Sequence, residues 1–198
     1  MTTILLLTGP AGDAQGWGDL SVTQSMCRAI KDNGLDSRIC FVSTMAEFSA
    51  AMNAGNFDMV WSALYHISEK SDIIGKATGQ WLADYFDAHN IPYIGPDSTT
   101  MKQLIDKTQT HDILASRNIA VPFHVEVPPG APLPDIRFPA FVKPSCESRS
   151  IGISDDSVVH TPAELARQTA YIHDRFDQPA LVEEYLPGDE YTVLMLGN

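Results

Sequence analysis

Phe138-Pro-Ala-Phe-Val-Lys143-Pro144-Ser145-Cys-Glu-Ser-Arg-Ser150-Ile-Gly152 combines an apolar run, a single lysine and a loop of small residues. The apolar run closed by Pro144 predicts a strand with an ammonium group at its end. Lys143 fits two interpretations, a strand-edge side chain that reaches for solvent or an anion ligand. The small residues up to Gly152 predict a loop whose exposed backbone amides suit phosphate groups.

A second stretch, about thirty residues further on, carries carboxylates. Leu181-Val-Glu-Glu-Tyr-Leu186 predicts a strand interrupted at its edge by Glu183 and Glu184, and Glu190 follows a tight turn. A carboxylate on a strand edge can accept the amino hydrogens of adenine, and an acid after a turn suits ribose hydroxyls. The alternatives are two solvated glutamates on an edge strand and an ordinary turn acid.

The first half of the chain alternates strand and helix signals. Thr3 to Thr8 is a continuous apolar run that ends in Gly9-Pro10, typical of a parallel strand buried on both faces. Further strands are predicted at 38–42, 58–63 and 91–94. One helix is predicted from an N-cap at Ser21 to Gly34, a second begins at a capping box of Thr44 and Glu47, and a third is predicted at 74–85. This alternation over residues 1–95 predicts a doubly wound parallel sheet.

The pattern changes after Gly95-Pro96-Asp97. Helices are predicted to begin at N-caps provided by Ser98 and Asp106 and at the capping box of Thr161-Pro-Ala-Glu164. Strands are predicted at 121–127, 138–143, 180–186 and 191–196. Runs of strands and helices in this order predict an α+β lobe.

Composition and charge exclude several classes of function. The chain has 198 residues, with 25 acidic and 13 basic side chains and a net charge of -12. This charge repels nucleic acid and anionic membranes, so a phosphate ligand must be held by a few local lysines and backbone amides. No signal peptide or membrane span is recognisable. Three cysteines without a C-x-x-C pair indicate a reduced, cytoplasmic protein.

Taken together, the order and spacing of these stretches resemble the ATP-grasp fold and, more narrowly, the D-alanine–D-alanine ligases. The segment Tyr93-Ile-Gly-Pro-Asp-Ser98, followed by Asp106-Lys107, is similar to the one by which that family enters its ATP-binding lobe. The resemblance is good from about residue 91 onward and loose before it. It implies an α/β protein with three parts: an N-terminal Rossmann-like, pre-ATP-grasp substrate domain at 1–96, a first ATP-grasp lobe at 97–180, and a truncated second lobe at 181–198.

The resemblance also implies roles for individual residues. Lys107 and Lys143 would bind the ATP phosphates, and Ser150 would close over them. Glu183 would bind the adenine amino group, the backbones of Tyr185 and Leu186 would contact the adenine ring, and Glu190 would bind the ribose. Asp19 would bind the amine of the first substrate. Ser150 and Asp19 are thereby the candidate catalytic residues. Two lysines would offset the triphosphate charge that the acidic protein otherwise repels.

The implied function is that of an ATP-dependent carboxylate–amine ligase. A carboxylate would attack the γ-phosphate to give an acyl phosphate, and an amine would then displace phosphate to form an amide. The partners would be ATP and a small amino acid or carboxylate, and a homodimer is compatible with the sequence. Relatives carry their magnesium ligands, an Asp and a Glu-x-Asn, on a further lobe. We therefore expect the Mg²⁺ ligands beyond residue 198, and a chain that is an N-terminal fragment without turnover of its own.

Two loops depart from the family pattern. Ser148-Arg149 stands where the D-alanine ligases have Gly-Ser, which adds charge and removes backbone freedom. The loop from Tyr65 to Asp72 lacks their His-Gly and Gly-Glu-Asp-Gly pattern, so the substrate could be another amino acid or a small carboxylate. His66 in this loop either contacts substrate or is solvated. Arg149 would lower the pKa of the Cys146 thiol, but no base accompanies this cysteine.

Two other classes compete with the ligase. A nucleotide-binding regulatory module could keep the lysines without catalysis. A Rossmann-type dinucleotide enzyme fits less well, because the turn from Gly9 to Gly16 does not supply G-x-G-x-x-G at the start of a helix.

Overall fold

The structure is a computed structural model, and it describes residues 2–68, 73–76 and 80–193. Two four-stranded sheets organise these residues, one parallel and one antiparallel. The strands are β1 (Thr3–Thr8), β2 (Asp36–Phe41), β3 (Met59–Ser62), β4 (Tyr93–Ile94), β5 (His124–Val127), β6 (Ala140–Pro144), β7 (Val158–Val159) and β8 (Ala180–Glu184). The helices are α1 (Gly12–Gln15), α2 (Leu20–Asp32), α3 (Met45–Ala54), α4 (Leu82–Ala88), α5 (Ser98–Ile105), α6 (Lys107–Ser116) and α7 (Pro162–Phe176).

The predicted parallel sheet is confirmed, with strand order β2-β1-β3-β4. Residues 4–8 of β1 are all buried, as expected of a parallel strand covered on both faces. Leu5 and Leu7 pack with Phe48 of α3 and Phe86 of α4 in one core cluster. The strand order reverses between β1 and β3, so the carboxyl ends of these strands form the crevice where open α/β sheets bind ligands.

The N-caps of two helices differ from the prediction by one or two residues. Asp19, and not Ser21, caps α2, because its carboxylate accepts hydrogen bonds from the backbone N–H groups of Ser21 and Val22. Similarly, α5 is capped by Asp97 and not by Ser98. The capping box at Thr44 and the cap at Asp106 are confirmed. An aspartate just before a serine competes well for the cap, since both side chains accept from the same backbone donors.

The single helix predicted at 74–85 is wrong. The described part of this segment has a 3₁₀ turn at Ile74–Lys76, and α4 begins only at Leu82. Trp81 pairs with His66 in an isolated β-bridge, and the backbone N–H of Leu82 donates to the Tyr65 carbonyl at 2.8 Å. This pairing holds Trp81 extended, so the helix begins after it.

The antiparallel sheet has strand order β5-β8-β6-β7 and confirms the mixed α/β class. One of its faces is apolar and packs on α7, through residues that alternate along the strands: Val125, Val127, Ala140, Val142, Ala180 and Val182 against Leu165, Ile172 and Phe176. β8 lies inside this sheet, between β5 and β6. The predicted strand at 191–196 is not seen over residues 191–193, and its remainder lies outside the described residues.

Among the helices of the described residues, none has both the length and the apolar character needed to cross a bilayer.

Gly152, in the loop after β6, offers a test of how tightly this loop packs against Pro144 and Phe176. Gly152 has a φ of +79°, and a Cβ there would overlap the Pro144 ring and come within 3.0 Å of Phe176. Gly130 has a nearly identical φ of +81° but open space around it. We expect Gly130→Ala to cost roughly 1–2 kcal/mol from the left-handed backbone. Gly152→Ala should cost about 1–3 kcal/mol more from overpacking.

Urea denaturation of the wild type and both variants measures this difference directly. Equal free energies of unfolding for the two variants would show that the loop yields to the added methyl group.

Candidate nucleotide-binding site

The second face of the antiparallel sheet is polar. Pairing places His124 and Phe141 on either side of Glu183, and Lys143 beside Leu181 in the next row of the same face. Side chains on a strand alternate between faces, so this face is turned away from the apolar core on α7. One face of the sheet therefore packs on the core, and the other carries the charged side chains of Lys143 and Glu183.

Lys143 and Glu183 form a buried ion pair on this face. The Lys143 Nζ atom lies 2.6 Å from Glu183 Oε2, and the side chains are 17% and 7% exposed. The edge-strand interpretation of Glu183 is wrong, because β8 is an interior strand and Glu183 is buried. Removing one member of such a pair leaves an uncompensated buried charge.

Lys107, the first residue of α6, brings a second ammonium group to the same place. Its Nζ atom donates to the Glu147 carbonyl oxygen, and its backbone N–H donates to the Ser145 carbonyl at 3.1 Å. Burial, and then the neighbouring Lys143 charge, lower the pKa of Lys107. An ammonium group in this environment is stabilised by an added anion.

One cleft of about 290 Å³, open to solvent, connects these groups. Its lining consists of Lys107, Lys143, Pro144, Glu147, Ser148, Arg149, Ser150, Ile151 and Ile153. We call it the phosphate cleft. The predicted convergence of Lys107 and Lys143 on a common pocket is confirmed, and the Glu183 strand adjoins it through the ion pair with Lys143.

The loop after β6 adds two residues with a left-handed backbone to the phosphate cleft. Arg149 and Ser150 have φ values of 54° and 58°. Ser150 is exposed at the cleft, and the Arg149 Nη1 atom donates to Asp13 Oδ1 of α1 at 2.8 Å. This contact and a hydrogen bond from Ser148 Oγ to the Gln15 carbonyl, at 3.3 Å, join the loop to the first sheet's α1.

Glu147 organises the same loop and was not singled out from the sequence. Its buried carboxylate accepts from the backbone N–H groups of Ile74 and Gly75 and from Gln178 Nε2. Gln178 Oε1 in turn accepts from the Cys146 N–H at 2.7 Å. Burial raises the pKa of Glu147. A glutamate among small loop residues was the available signal, but its partners lie about 30 and 70 residues away.

His111 is a second residue that the sequence argument missed. It follows Lys107 by one turn of α6, and its Nε2 atom lies 3.4 Å from Glu183 Oε1. Burial is the main cause that lowers the His111 pKa. Within the described residues, neither His111 Nδ1 nor Glu183 Oε1 has a hydrogen-bond partner. The i, i+4 spacing from Lys107 could have indicated this neighbourhood.

The other predicted ligand residues lie outside the cleft lining. Tyr185 and Leu186 follow β8 and are 39% and 62% exposed, and Glu190 is exposed beyond them. Asp19 is exposed at the start of α2, where its carboxylate caps the helix and lowers its own pKa by accepting from Ser21 and Val22. The structure does not test the roles of these four residues, which stay predictions.

Two expectations for single residues are wrong. Burial raises the Cys146 pKa to about 11, so the thiol is not activated by Arg149. His66 is fully buried against Trp81 and is not a solvated loop histidine. Burial lowers its pKa to about 4.

Within residues 2–68, 73–76 and 80–193, no group of three or more His, Cys, Asp or Glu side chains could hold a metal ion.

Comparisons with known proteins agree with this architecture. A family model described as D-ala D-ala ligase C-terminus matches residues 133–198. The D-alanine–D-alanine ligase of Xanthomonas axonopodis pv. citri (strain 306) is 28% identical over 178 residues, which cover 86% of this chain and 52% of the relative. The chain spans about half the length of the curated relatives it matches.

Solved structures give the same result for the fold. The crystal structure of D-alanine–D-alanine ligase from Bacillus anthracis superposes with a TM-score of 0.65 at 18% identity, over 95% of this chain and 59% of that one. Its complex with ATP gives 0.64 at 19% identity, over 95% and 60%.

The parallel sheet, the antiparallel sheet and the lysine-lined cleft between sheet and loop form a fold similar to the ATP-grasp type. Within that class the fold is D-alanine–D-alanine ligase-like.

The buried His66 gives a testable dependence of stability on pH. The unfolded chain takes up the proton near pH 6.5, whereas the folded chain does so only near pH 4. Stability should therefore fall as the pH drops through this window, by about 2 kcal/mol at pH 5. His66→Phe, which keeps an aromatic ring beside Trp81, should remove this part of the loss.

Free energies of unfolding at pH 7 and pH 5 measure the effect. His160→Gln, at an exposed histidine, is the control and should retain the wild-type dependence. Parallel pH dependences for the wild type and His66→Phe would contradict the assignment.

Proposed function

We propose that this chain carries part of the ATP site of an ATP-dependent carboxylate–amine ligase that forms an amide through an acyl phosphate. The observation that supports it best is the convergence of Lys107 and Lys143, from separate segments, on the phosphate cleft beside Glu183. In a protein of net charge -12, two partly buried ammonium groups in one cleft are well suited to a polyanion. The D-alanine–D-alanine ligase relatives give the reaction class.

Glu183 supports adenine as the base. Its Oε1 atom is buried and, within the described residues, accepts no hydrogen bond, although His111 Nε2 lies 3.4 Å away. A buried carboxylate oxygen in this state is stabilised by an N–H donor such as an adenine amino group. In this proposal the backbones of Tyr185 and Leu186 contact the ring and Glu190 binds the ribose.

The remaining predicted residues complete the arrangement. Ser150, exposed at the phosphate cleft, would close over the phosphates, and Asp19 would face the amine of the first substrate at the carboxyl end of the parallel sheet. Residues 1–96 would form the pre-ATP-grasp substrate domain. The chain's contribution to catalysis would be positioning and charge neutralisation, since phosphoryl transfer needs little covalent chemistry from the protein.

Magnesium is part of the implied reaction. Among the described residues, no group of three or more His, Cys, Asp or Glu side chains could hold a metal ion. We therefore assign no magnesium ligand and no step to the metal in this chain.

The substrate class follows from the departures in the two loops. Arg149 and the loop from Tyr65 replace the residues of the D-alanine ligases, so we propose a small amino acid or carboxylate and do not commit to D-alanine. A regulatory module that binds ATP without catalysis is the alternative function.

The lysines provide the first test. Lys107→Ala and Lys143→Gln should each weaken ATP binding by about tenfold, because each removes a charge-assisted contact with phosphate. Glutamine is preferred at position 143 because its neutral amide can still donate a hydrogen bond to the buried Glu183, whereas alanine would leave that carboxylate without a partner, at a cost of about 3–5 kcal/mol. Calorimetric titration of ATP into each variant measures the affinities.

Lys102→Ala is the matched control. Lys102 forms an exposed ion pair with Asp84 at 2.7 Å and is not part of the cleft lining, so ATP affinity should not change. Wild-type affinity in Lys107→Ala and Lys143→Gln would remove both residues from the site.

The reaction is tested by phosphate release. The protein, given magnesium, ATP and a panel of amino acids and small carboxylates, should release phosphate only with a matching substrate. ATP binding without phosphate release from any member of the panel would favour the regulatory module.

A further inference from the structure

A third cation, Arg149, lines the phosphate cleft together with Lys107 and Lys143. The loop that carries it differs here from the Gly-Ser of the D-alanine ligases, so the family resemblance assigns this side chain no role. Its guanidinium group is planar and presents several donors, which matches phosphate oxygens well. The cleft is thus lined by three cationic side chains.

The three cations contact different segments around the cleft. Lys143 lies 2.6 Å from the buried Glu183. Lys107 donates to the Glu147 carbonyl. Arg149 is paired with Asp13 of the first sheet's α1. With the base of a nucleotide placed at Glu183 and its first phosphates at the lysines, Arg149 is the cleft cation left for the terminal phosphate.

Arg149 is free to exchange its present partner. The ion pair with Asp13 is exposed, with 39% of the Arg149 side chain and 74% of the Asp13 side chain accessible to solvent. Exposed pairs of this kind contribute little to stability. The hydrogen bond to Asp13 uses one of the guanidinium donors, at Nη1, so others are available to a ligand.

The backbone of the loop places the side chain at this position at a conformational cost. Arg149 and Ser150 both adopt left-handed φ values, which are unfavourable for residues other than glycine. Backbone N–H groups of Ile151 and Ile153 hold the turn by donating to the carbonyls of Ser148 and Ser150, both at 3.1 Å. Glycine would relieve the strain but would remove the charge from the cleft.

We propose that Arg149 binds the terminal phosphate of ATP and so gives the site a preference for the triphosphate over the diphosphate. The proposal rests on the ATP site described above and adds a contact that the D-alanine ligase pattern does not include.

Titration of ATP and ADP into the 198-residue chain tests it. Arg149→Asn should weaken ATP binding by about tenfold and leave ADP binding within about twofold of the wild type, because the contact is made to the terminal phosphate. Asparagine is chosen since it tolerates the left-handed backbone. Arg149→Lys, which keeps the charge, should retain part of the preference.

Two further variants separate local from general effects. Arg167→Asn removes the same charge from α7, where Arg167 forms an exposed pair with Asp156, and should leave both affinities unchanged. Asp13→Asn releases the guanidinium group and should leave ATP affinity equal or higher. Circular dichroism checks that each variant is folded.

The outcomes distinguish the two proposals. Equal loss of ATP and ADP affinity in Arg149→Asn, or no loss of either, would overturn the role of Arg149 while the ATP site stands. No binding of either nucleotide to the wild-type chain would overturn the ATP site and this inference with it.

Discussion

The ion pair between Lys143 and Glu183 is the interaction on which the proposed site depends. It lies on the polar face of a sheet whose other face packs on α7. Burying either charge alone would cost several kcal/mol, so each requires the other in the absence of a ligand. The pair therefore keeps a carboxylate and an ammonium group next to each other at one end of the phosphate cleft, on rigid strands and not on loops.

Glu147, in the loop after β6, connects the site to neighbouring segments of the molecule. Its carboxylate holds the backbone of Ile74 and Gly75 and the amide of Gln178, while its carbonyl accepts from Lys107. The side chain and the backbone of one buried residue thus link the loop after β6, the start of α6 and the segment that follows β3. Charge-assisted hydrogen bonds to buried backbone groups are strong and directional, which suits a loop that has to present amides to an anion.

Electrostatics explains how an acidic protein can bind a nucleotide at this place. The net charge of -12 repels anions at long range, but Lys107, Lys143 and Arg149 lie in a single cleft. Interactions at contact distance in a partly buried site outweigh a screened, distant field. The relatives and solved structures show the fold.

The sequence by itself determined the parallel sheet and three of the four strands of the second sheet, because period-two and helical patterns and short capping signals are local. The convergence of Lys107 and Lys143 was implied by the family resemblance and not by any local pattern. The structure has Asp19 as the N-cap of α2, where the sequence predicted Ser21. Capping propensity does not distinguish these two residue types, which lie only two positions apart. Only the tertiary structure decided that β8 is an interior strand, that His66 is buried, and that Glu147 and His111 join the site. Their partners lie tens of residues away in the chain, and burial by distant segments leaves no trace in a local pattern.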